Sequence, residues 1–179
     1  MWRYDSLSPM KEQCFTAILP ELPIVGTLQL TSTDLKKLRS IEVIATAPAQ
    51  GMNPYFKTCH RELHSFLSGK KKTIDLELDL SSLSTFQQSV LREMRRIPYG
   101  EVCTYKDLAQ KLHSKAYQAI GSACGRNPLL LIYPCHRVVG ARGLGGFAHG
   151  LEMKKELLGL EANPGWSTSN KARGDFSSR

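Results

Sequence analysis

Apolar residues in the first half of the chain follow the pattern of short strands around one helix. From Cys14 to about Asp79, β-branched runs are interrupted by Pro and Gly, as in CFTAILPELPIVGTLQL and IEVIATA. Between Pro54 and Leu67 the apolar side chains instead recur at helical spacing, and Gly69 follows as a stop signal. This half is therefore predicted to be a small α/β unit.

A serine-rich connection separates this half from the next. Leu76, Leu78 and Leu80 alternate with polar residues, and SSLS comes directly afterwards, which marks a domain boundary. The last residues of the chain are polar and hold little that could form a core, so we expect a mobile tail. The predicted parts are an N-terminal α/β domain over 1–80, a linker over 81–84, a second domain over 85–161 and a polar tail over 162–179.

Three helices are predicted after the linker. Ser84 with Gln87, and Thr104 with Asp107, form capping boxes that start the first two helices. The third helix, KAYQAIGSACG, follows a break of a few residues. Two short helices joined so tightly are typical of a helix-turn-helix, although helical hairpins in many enzymes share this pattern. Small residues leave the third helix nearly smooth and let its backbone come close to another surface, and on this segment alone close helix–helix packing in the core is the favoured interpretation.

The net charge of the chain indicates the kind of partner that it binds. Lys and Arg outnumber Asp and Glu by 24 to 16, and the resulting formal charge of +8 favours an anionic partner such as nucleic acid. No apolar run is long enough to span a bilayer, so we expect a soluble, intracellular protein.

The five cysteines have irregular spacings without a CxxC pair, which favours reduced thiols over disulfides or a regular zinc site. His60 and His64 lie one helical turn apart beside Cys59, but no fourth ligand is evident. We therefore predict neither a metal nor a cofactor.

One cysteine stands in a sequence that suits catalysis. The apolar run LLLIY predicts a short buried strand that leads into Cys135, His136 and Arg137. A nearby base or positive charge is what a nucleophilic thiolate requires. Adjacent residues on a strand point to opposite sides, so His136 would act through a water or a bend. A structural buried cysteine beside a surface histidine remains the alternative.

Three motifs in the second half carry a family resemblance: IPYGEVCTY, GRNP and IYPCHRVVGARGLGGFAHGLEMKKELLGLE. From about Phe86 to Glu161 the chain resembles the O6-alkylguanine-DNA alkyltransferases, whereas the N-terminal half matches more loosely. The resemblance implies a ribonuclease-H-like α/β domain followed by a winged helix-turn-helix domain.

The implied activity is DNA repair by direct reversal of O6-alkylguanine, and also of O4-alkylthymine. The alkyl group moves irreversibly to a cysteine of the protein, once per chain. The implied partner is double-stranded DNA containing alkylated guanine, bound through the minor groove with the damaged base flipped out. No obligate protein partner is implied, and the compartment would be the bacterial cytoplasm or the eukaryotic nucleus.

The same resemblance implies the catalytic roles. Cys135 is the alkyl acceptor, His136 takes its proton through a water, and Glu161 orients His136, as in a hydrolase triad. Tyr105 protonates the departing guanine. Asn127 braces the turn between the third helix and the active-site loop.

Contacts to substrate and DNA are implied for the third helix and for the loop after the cysteine. Val139 and the loop over 145–149 would line the base pocket, with Phe147 packing on guanine. The expected contact residues are Gln118, Ala119, Gly121, Ser122, Ala123, Arg126, Arg137, Val139, Phe147, Ala148 and His149.

Four of these positions depart from the family pattern. Phe147, Ala148 and His149 stand where Tyr, Ser and Gly are common, so hydroxyl groups are lost while backbone contacts can persist. Gln118 stands where an arginine normally intercalates into the space of the flipped base, so the departure concerns flipping more than alkyl transfer.

Two alternatives stay open. One is a lesion-binding relative that flags damage for another pathway, and the other is an unrelated Cys-His hydrolase.

Overall fold

The computed structural model describes residues 14–45 and 47–162. Within the first part of the chain, strands β1 (Phe15–Leu22), β2 (Gly26–Ser32) and β3 (Leu38–Ile44) form an antiparallel sheet in the order β1-β2-β3. Helix α1 (Pro54–Leu67) follows, and Asn53 caps it by accepting a hydrogen bond from the backbone N–H of Phe56. The predicted strands and helix of this half are confirmed. The predicted tail over 162–179 lies outside the described residues, apart from Ala162.

The second part of the chain is mainly helical. Its elements are α2 (Thr85–Arg95), β4 (Cys103–Thr104), α3 (Tyr105–Lys111), α4 (Tyr117–Gly125), a one-turn 3-10 helix (Cys135–Arg137), β5 (Val138–Val139) and α5 (Leu151–Ala162). The short strands β4 and β5 pair in parallel. The protein thus has mixed α/β content, as predicted.

Both predicted capping boxes place a helix start correctly. The Ser84 hydroxyl accepts from the N–H of Gln87, and at α3 the Thr104 and Asp107 side chains each bond the other's backbone N–H. The break between α3 and α4 contains His113 in a left-handed conformation, with φ of +48°. After this turn, α4 packs against both α2 and α3.

The prediction of a strand at LLLIY was wrong. Leu129 makes only an isolated bridge with Ile41, and the chain then turns, with Leu131 at φ +72°. The Tyr133 N–H closes this turn on the carbonyl of Leu129 at 3.0 Å. The run is apolar because residues 129–133 are all buried, and burial alone does not distinguish a strand from a turn.

Buried apolar side chains from both halves form one continuous core. Across it, the Ile41 N–H of β3 donates to the carbonyl of Pro128 at 2.7 Å. The sheet therefore supports the segment that leads into Cys135. No helix among the described residues is long and apolar enough to cross a membrane.

Candidate active site

Cys135 opens the 3-10 turn and faces a small cavity. It is 9 % exposed, and its N–H donates to the carbonyl of Tyr133 at 2.8 Å. The cavity has a volume of about 150 Å³. Its lining consists of Tyr105, Gly121, Cys124, Gly125, Cys135, Gly146, Phe147 and Ala148. The thiol is thus held at the wall of a space with room for a small part of another molecule.

Asn127 ties the end of α4 to this turn. Its amide Nδ2 donates to the Tyr133 carbonyl at 2.7 Å and lies 3.4 Å from the Cys135 sulfur, while its Oδ1 accepts from the Leu129 N–H at 3.0 Å. A donor beside the sulfur favours the thiolate over the thiol. Asn127 therefore both fixes the turn and supports the reactive form of the thiol.

Behind the turn lies a fully buried ionic cluster. His136 Nε2 is 2.7 Å from Glu161 Oε1. Arg137 donates from Nε and Nη2 to the two oxygens of Glu161 at 2.7 and 2.9 Å, and from Nη1 to the Ile97 carbonyl at 2.7 Å. The Gly100 N–H donates a fourth bond to Glu161, at 3.3 Å. These four hydrogen bonds to the Glu161 carboxylate offset the free-energy cost of removing it from water.

The cluster fixes the tautomer of His136. An ionised Glu161 can only accept, so the imidazole proton lies on Nε2 and the lone pair on Nδ1. Among the described residues, Nδ1 is buried without a hydrogen-bond partner. The basic atom of His136 is therefore free to take a proton.

Burial and charge set the ionisation of these groups. Burial lowers the pKa of His136, against the opposing influence of Glu161, so the ring is neutral near pH 7. Burial acts to raise the pKa of Glu161, but hydrogen bonds from His136 and Arg137 outweigh it and keep that pKa low. Burial raises the pKa of Cys135, while the Asn127 hydrogen bond and the Lys154 charge act in the opposite direction. The thiol consequently needs a base.

Tyr105 forms another wall of the cavity. Its hydroxyl is 3.4 Å from the carbonyl of Gly146, and burial raises the pKa of the phenol. The group is therefore a neutral donor near pH 7. A Cβ at Gly145 would lie 3.0 Å from both Tyr105 Cε2 and the backbone nitrogen of Gly140, and Gly145 has φ +68°, so a larger residue there would be strained and crowded.

Lys154 holds the loop that faces Tyr105. Its ammonium group is buried and donates to the carbonyls of Val138 and Leu144, each at 2.6 Å, and of Gly146 at 3.1 Å. It also lies 6.0 Å from the centre of the Phe147 ring. A single lysine on α5 thus connects the cysteine turn to the loop that lines the cavity.

A second groove lies on the opposite side of α4. It has a volume of about 210 Å³. Its lining consists of Ser84, Phe86, Gln87, Ala119, Ala123 and Arg126. The Gln87 amide donates to the carbonyl of Arg126 at 3.0 Å, so α2 and the end of α4 are joined there.

Comparisons with known proteins agree with this geometry. Residues 85–163 match the family model "6-O-methylguanine DNA methyltransferase, DNA binding domain". A methylated-DNA–protein-cysteine methyltransferase of Methanosarcina barkeri is 44 % identical over 111 residues, covering 61 % of this chain and 70 % of the relative. One from Mycolicibacterium paratuberculosis is 38 % identical over 144 residues, covering 76 % and 87 %. The chain belongs to this methyltransferase family. The family repairs DNA by transferring an alkyl group to a cysteine of the protein itself.

Solved methyltransferase structures have the same architecture. OGT of Mycobacterium tuberculosis in complex with DNA is 31 % identical, with a TM-score of 0.69 over 81 % of this chain and 91 % of that one. The O6-methylguanine-DNA methyltransferase of Pyrococcus kodakaraensis, at 22 % identity and a TM-score of 0.60, shares the fold over 84 % of this chain and 100 % of its own.

The structure brings most of the expected methyltransferase residues together. Asn127 bonds the Cys135 sulfur, His136 bonds Glu161, and Tyr105 lines the same cavity as Cys135. Of the expected contact residues, Gly121, Phe147 and Ala148 line the cavity, Ala119, Ala123 and Arg126 line the second groove, and Gln118 and Ser122 are exposed on α4.

Three expected contact residues lie elsewhere. Arg137 is 6 % exposed and its guanidinium bonds Glu161 and Ile97, so burial removes it from any DNA surface. Val139 pairs with Thr104, and His149 packs on the Phe147 ring at 5.7 Å between ring centres. Neither is part of the described cavity lining. His60 and His64 do stack on one another, but the described residues hold no group of three potential metal ligands.

Sequence reasoning missed Cys124 and Lys154. Cys124 lines the cavity together with Cys135, and burial raises its pKa to about 12, so it is a poor nucleophile. Lys154 had a usable signal, because it lies three residues before Leu157 and four before Leu158, on the same side of α5 as these two buried leucines. A lysine at such a position needs buried acceptors.

Proposed function

We propose that the protein repairs O6-alkylguanine in duplex DNA by irreversible transfer of the alkyl group to Cys135. The observation that carries this assignment is the placement of the Cys135 thiol at a small cavity in front of the buried His136–Glu161 pair. A repair protein that acts once per chain has no need of a cofactor. O4-alkylthymine, which presents a similar alkoxy group, is a second substrate.

The chemistry is a substitution at saturated carbon. The proton of Cys135 passes to Nδ1 of neutral His136 through a water, and the resulting imidazolium is stabilised by Glu161. The thiolate sulfur then forms a bond to the alkyl carbon while the bond from that carbon to guanine O6 breaks. The electron pair goes to the purine, which takes a proton from the Tyr105 hydroxyl, and the proton held by His136 then returns through solvent to the Tyr105 phenolate. Guanine and S-alkylcysteine are the products.

DNA binding is assigned to the exposed face of α4. The pair α3 and α4 acts as the helix-turn-helix of a winged domain, and the sheet with α1 belongs to a ribonuclease-H-like domain. Small residues on α4 allow its backbone to lie close to the floor of the minor groove. Ala119, Ser122 and Arg126 provide contacts there, and the net charge of +8 attracts the phosphates. The compartment is the one that holds DNA, the bacterial cytoplasm or the eukaryotic nucleus.

The damaged base enters the cavity by flipping out of the stack. Gly146, Phe147 and Ala148 line the cavity, and their backbone groups recognise the guanine edge. Gln118 is exposed at the start of α4, where an amide fills the vacated space less well than the charged, planar group of arginine.

Intact-protein mass spectrometry tests the assignment. Incubation with duplex DNA containing O6-methylguanine should add one methyl group per chain, and peptide mapping should locate it on Cys135. Cys135→Ala should abolish the gain while retaining affinity for the duplex. Methylation of another cysteine in that variant contradicts the assignment to Cys135. Binding without any mass gain in the wild type would instead indicate a lesion-binding protein, and turnover beyond one event per chain would indicate a hydrolase.

A further inference from the structure

Tyr117 is a large aromatic residue on an otherwise smooth helix. It begins α4 and is 49 % exposed, and its ring is outside the set of side chains that pack on the described core. The exposed neighbours along the helix are mostly small, among them Ala116, Ala119 and Ser122. An exposed aromatic ring at the start of this helix is available to stack on a partner that approaches the helix.

Helical spacing aligns Tyr117 with the reaction cavity. Gly121, Cys124 and Gly125 line the cavity, and they follow Tyr117 by four, seven and eight residues. Residues at these intervals share one face of a helix, so Tyr117 continues the cavity wall one turn outward. Because helical side chains lean toward the N-terminus, its ring is expected to project away from the cavity floor.

Gln118 is next to Tyr117 but occupies a different face. It is rotated by about 100° around the helix, in line with exposed Ser122 and toward the middle of the solvent-facing surface. A glutamine amide can hydrogen-bond, but it has no broad π-face on which a base can stack. The two adjacent residues therefore differ both in position and in what they can do.

We propose that Tyr117 is the wedge that stacks in duplex DNA beside the nucleotide delivered to the cavity. This inference rests on the proposed function, since it requires a base to leave the stack. Flipping removes stacking from the neighbouring bases, and an aromatic side chain replaces stacking for any base sequence. The small residues around Tyr117 allow the helix to come close enough for its ring to reach the base pairs.

Single-turnover methyl transfer at saturating protein provides the test, with duplex O6-methylguanine and free O6-methylguanine as parallel substrates. Tyr117→Ala should slow the duplex reaction about tenfold, the order of effect that loss of one base–aromatic stack produces. The free base needs no flipping and should react at the wild-type rate, which also shows that the variant is folded. Tyr117→Phe keeps the ring and should restore the duplex rate. Val102→Ala, which trims a residue of similar exposure (46 %), is the matched control and should leave both rates unchanged.

Flipping can be observed directly with 2-aminopurine placed next to the lesion, whose fluorescence rises when it loses stacking. Tyr117→Ala should alter this signal more than Gln118→Ala does. Equal slowing of both substrates would mean that Tyr117 shapes the cavity mouth, and a larger duplex effect for Gln118→Ala would make Gln118 the wedge. Either result overturns this inference while leaving the proposed function intact. Failure of the wild type to acquire a methyl group from either substrate would overturn the proposed function itself.

Discussion

The two sides of the reaction cavity differ in how their residues are held and in the size of the side chains. On the cysteine side, His136, Arg137 and Glu161 are buried and joined by charged hydrogen bonds of 2.7 to 2.9 Å. On the α4 side, the wall consists of Gly121, Cys124 and Gly125, whose side chains are small or absent. Hydrogen bonds therefore hold the side chains of the cysteine side in place, whereas the small residues of the α4 side leave free volume in the cavity.

This difference assigns the alkyl-transfer chemistry to the cysteine side and the discrimination between substrates to the α4 side. Preorganised charges act on the reacting atoms without rearrangement during the reaction, so the buried side determines how fast any alkyl group is transferred. A wall of small residues discriminates only by size and by how closely DNA approaches. Substitutions on the buried side should therefore affect all substrates, whereas substitutions on α4 should affect some substrates more than others.

The largest effect is expected for Glu161→Gln on the buried side. The change removes the charge that orients His136 and leaves the Arg137 guanidinium buried without a counter-charge. Methyl transfer should slow by about 10²-fold or more, the usual contribution of general base catalysis. The free energy of unfolding should fall by about 3–5 kcal/mol, as for other broken buried pairs. Single-turnover kinetics and urea unfolding measure the two effects.

A matched control for this variant is Glu152→Gln. Glu152 pairs with Lys155 at 2.8 Å on the surface, where the two side chains are 71 % and 50 % exposed. The same chemical change there should alter neither the transfer rate nor the stability appreciably, because exposed pairs contribute little. If both variants behaved alike, the buried cluster would not have the role described for it.

A smaller but still general effect is expected for Lys154→Met. The apolar side chain is of similar length but leaves the carbonyls of Val138, Leu144 and Gly146 without their donor, so the loop beside Tyr105 should shift. We expect transfer to slow by about tenfold, equally for duplex and free methylguanine. Lys155→Met, next in the chain and in an exposed pair with Glu152, serves as the control. Loss confined to the duplex would assign Lys154 to DNA binding.

A contrast between local signals and long-range packing explains which features the sequence could predict. Capping boxes at Ser84 and Thr104 are local signals, and the helices start where they indicate. The family resemblance named His136 and Glu161, which the structure joins, and Cys135, which precedes His136 in the chain and lines the cavity. The turn at LLLIY and the placement of Arg137 were not predictable locally, because both depend on burial by distant parts of the chain. Lys154 likewise acquires its role only when α5 packs beside the loop after β5.

The smallest expected effect concerns Cys124 on the α4 side. Its sulfur lines the cavity beside the acceptor thiol, so its size limits the alkyl group that fits there. Cys124→Ala should speed transfer of a benzyl group about threefold relative to methyl, and Cys124→Met should do the reverse. One methylene in a tight pocket is worth about tenfold or more, and the effect is smaller here because the cavity opens to solvent. Cys103→Ala, a buried thiol on β4 outside the cavity lining, is the control. The decisive quantity is the ratio of benzyl to methyl rates on the free bases. If that ratio moved in the same direction for Ala and Met, the α4 wall would not select by size, and the contrast between the two sides would fail.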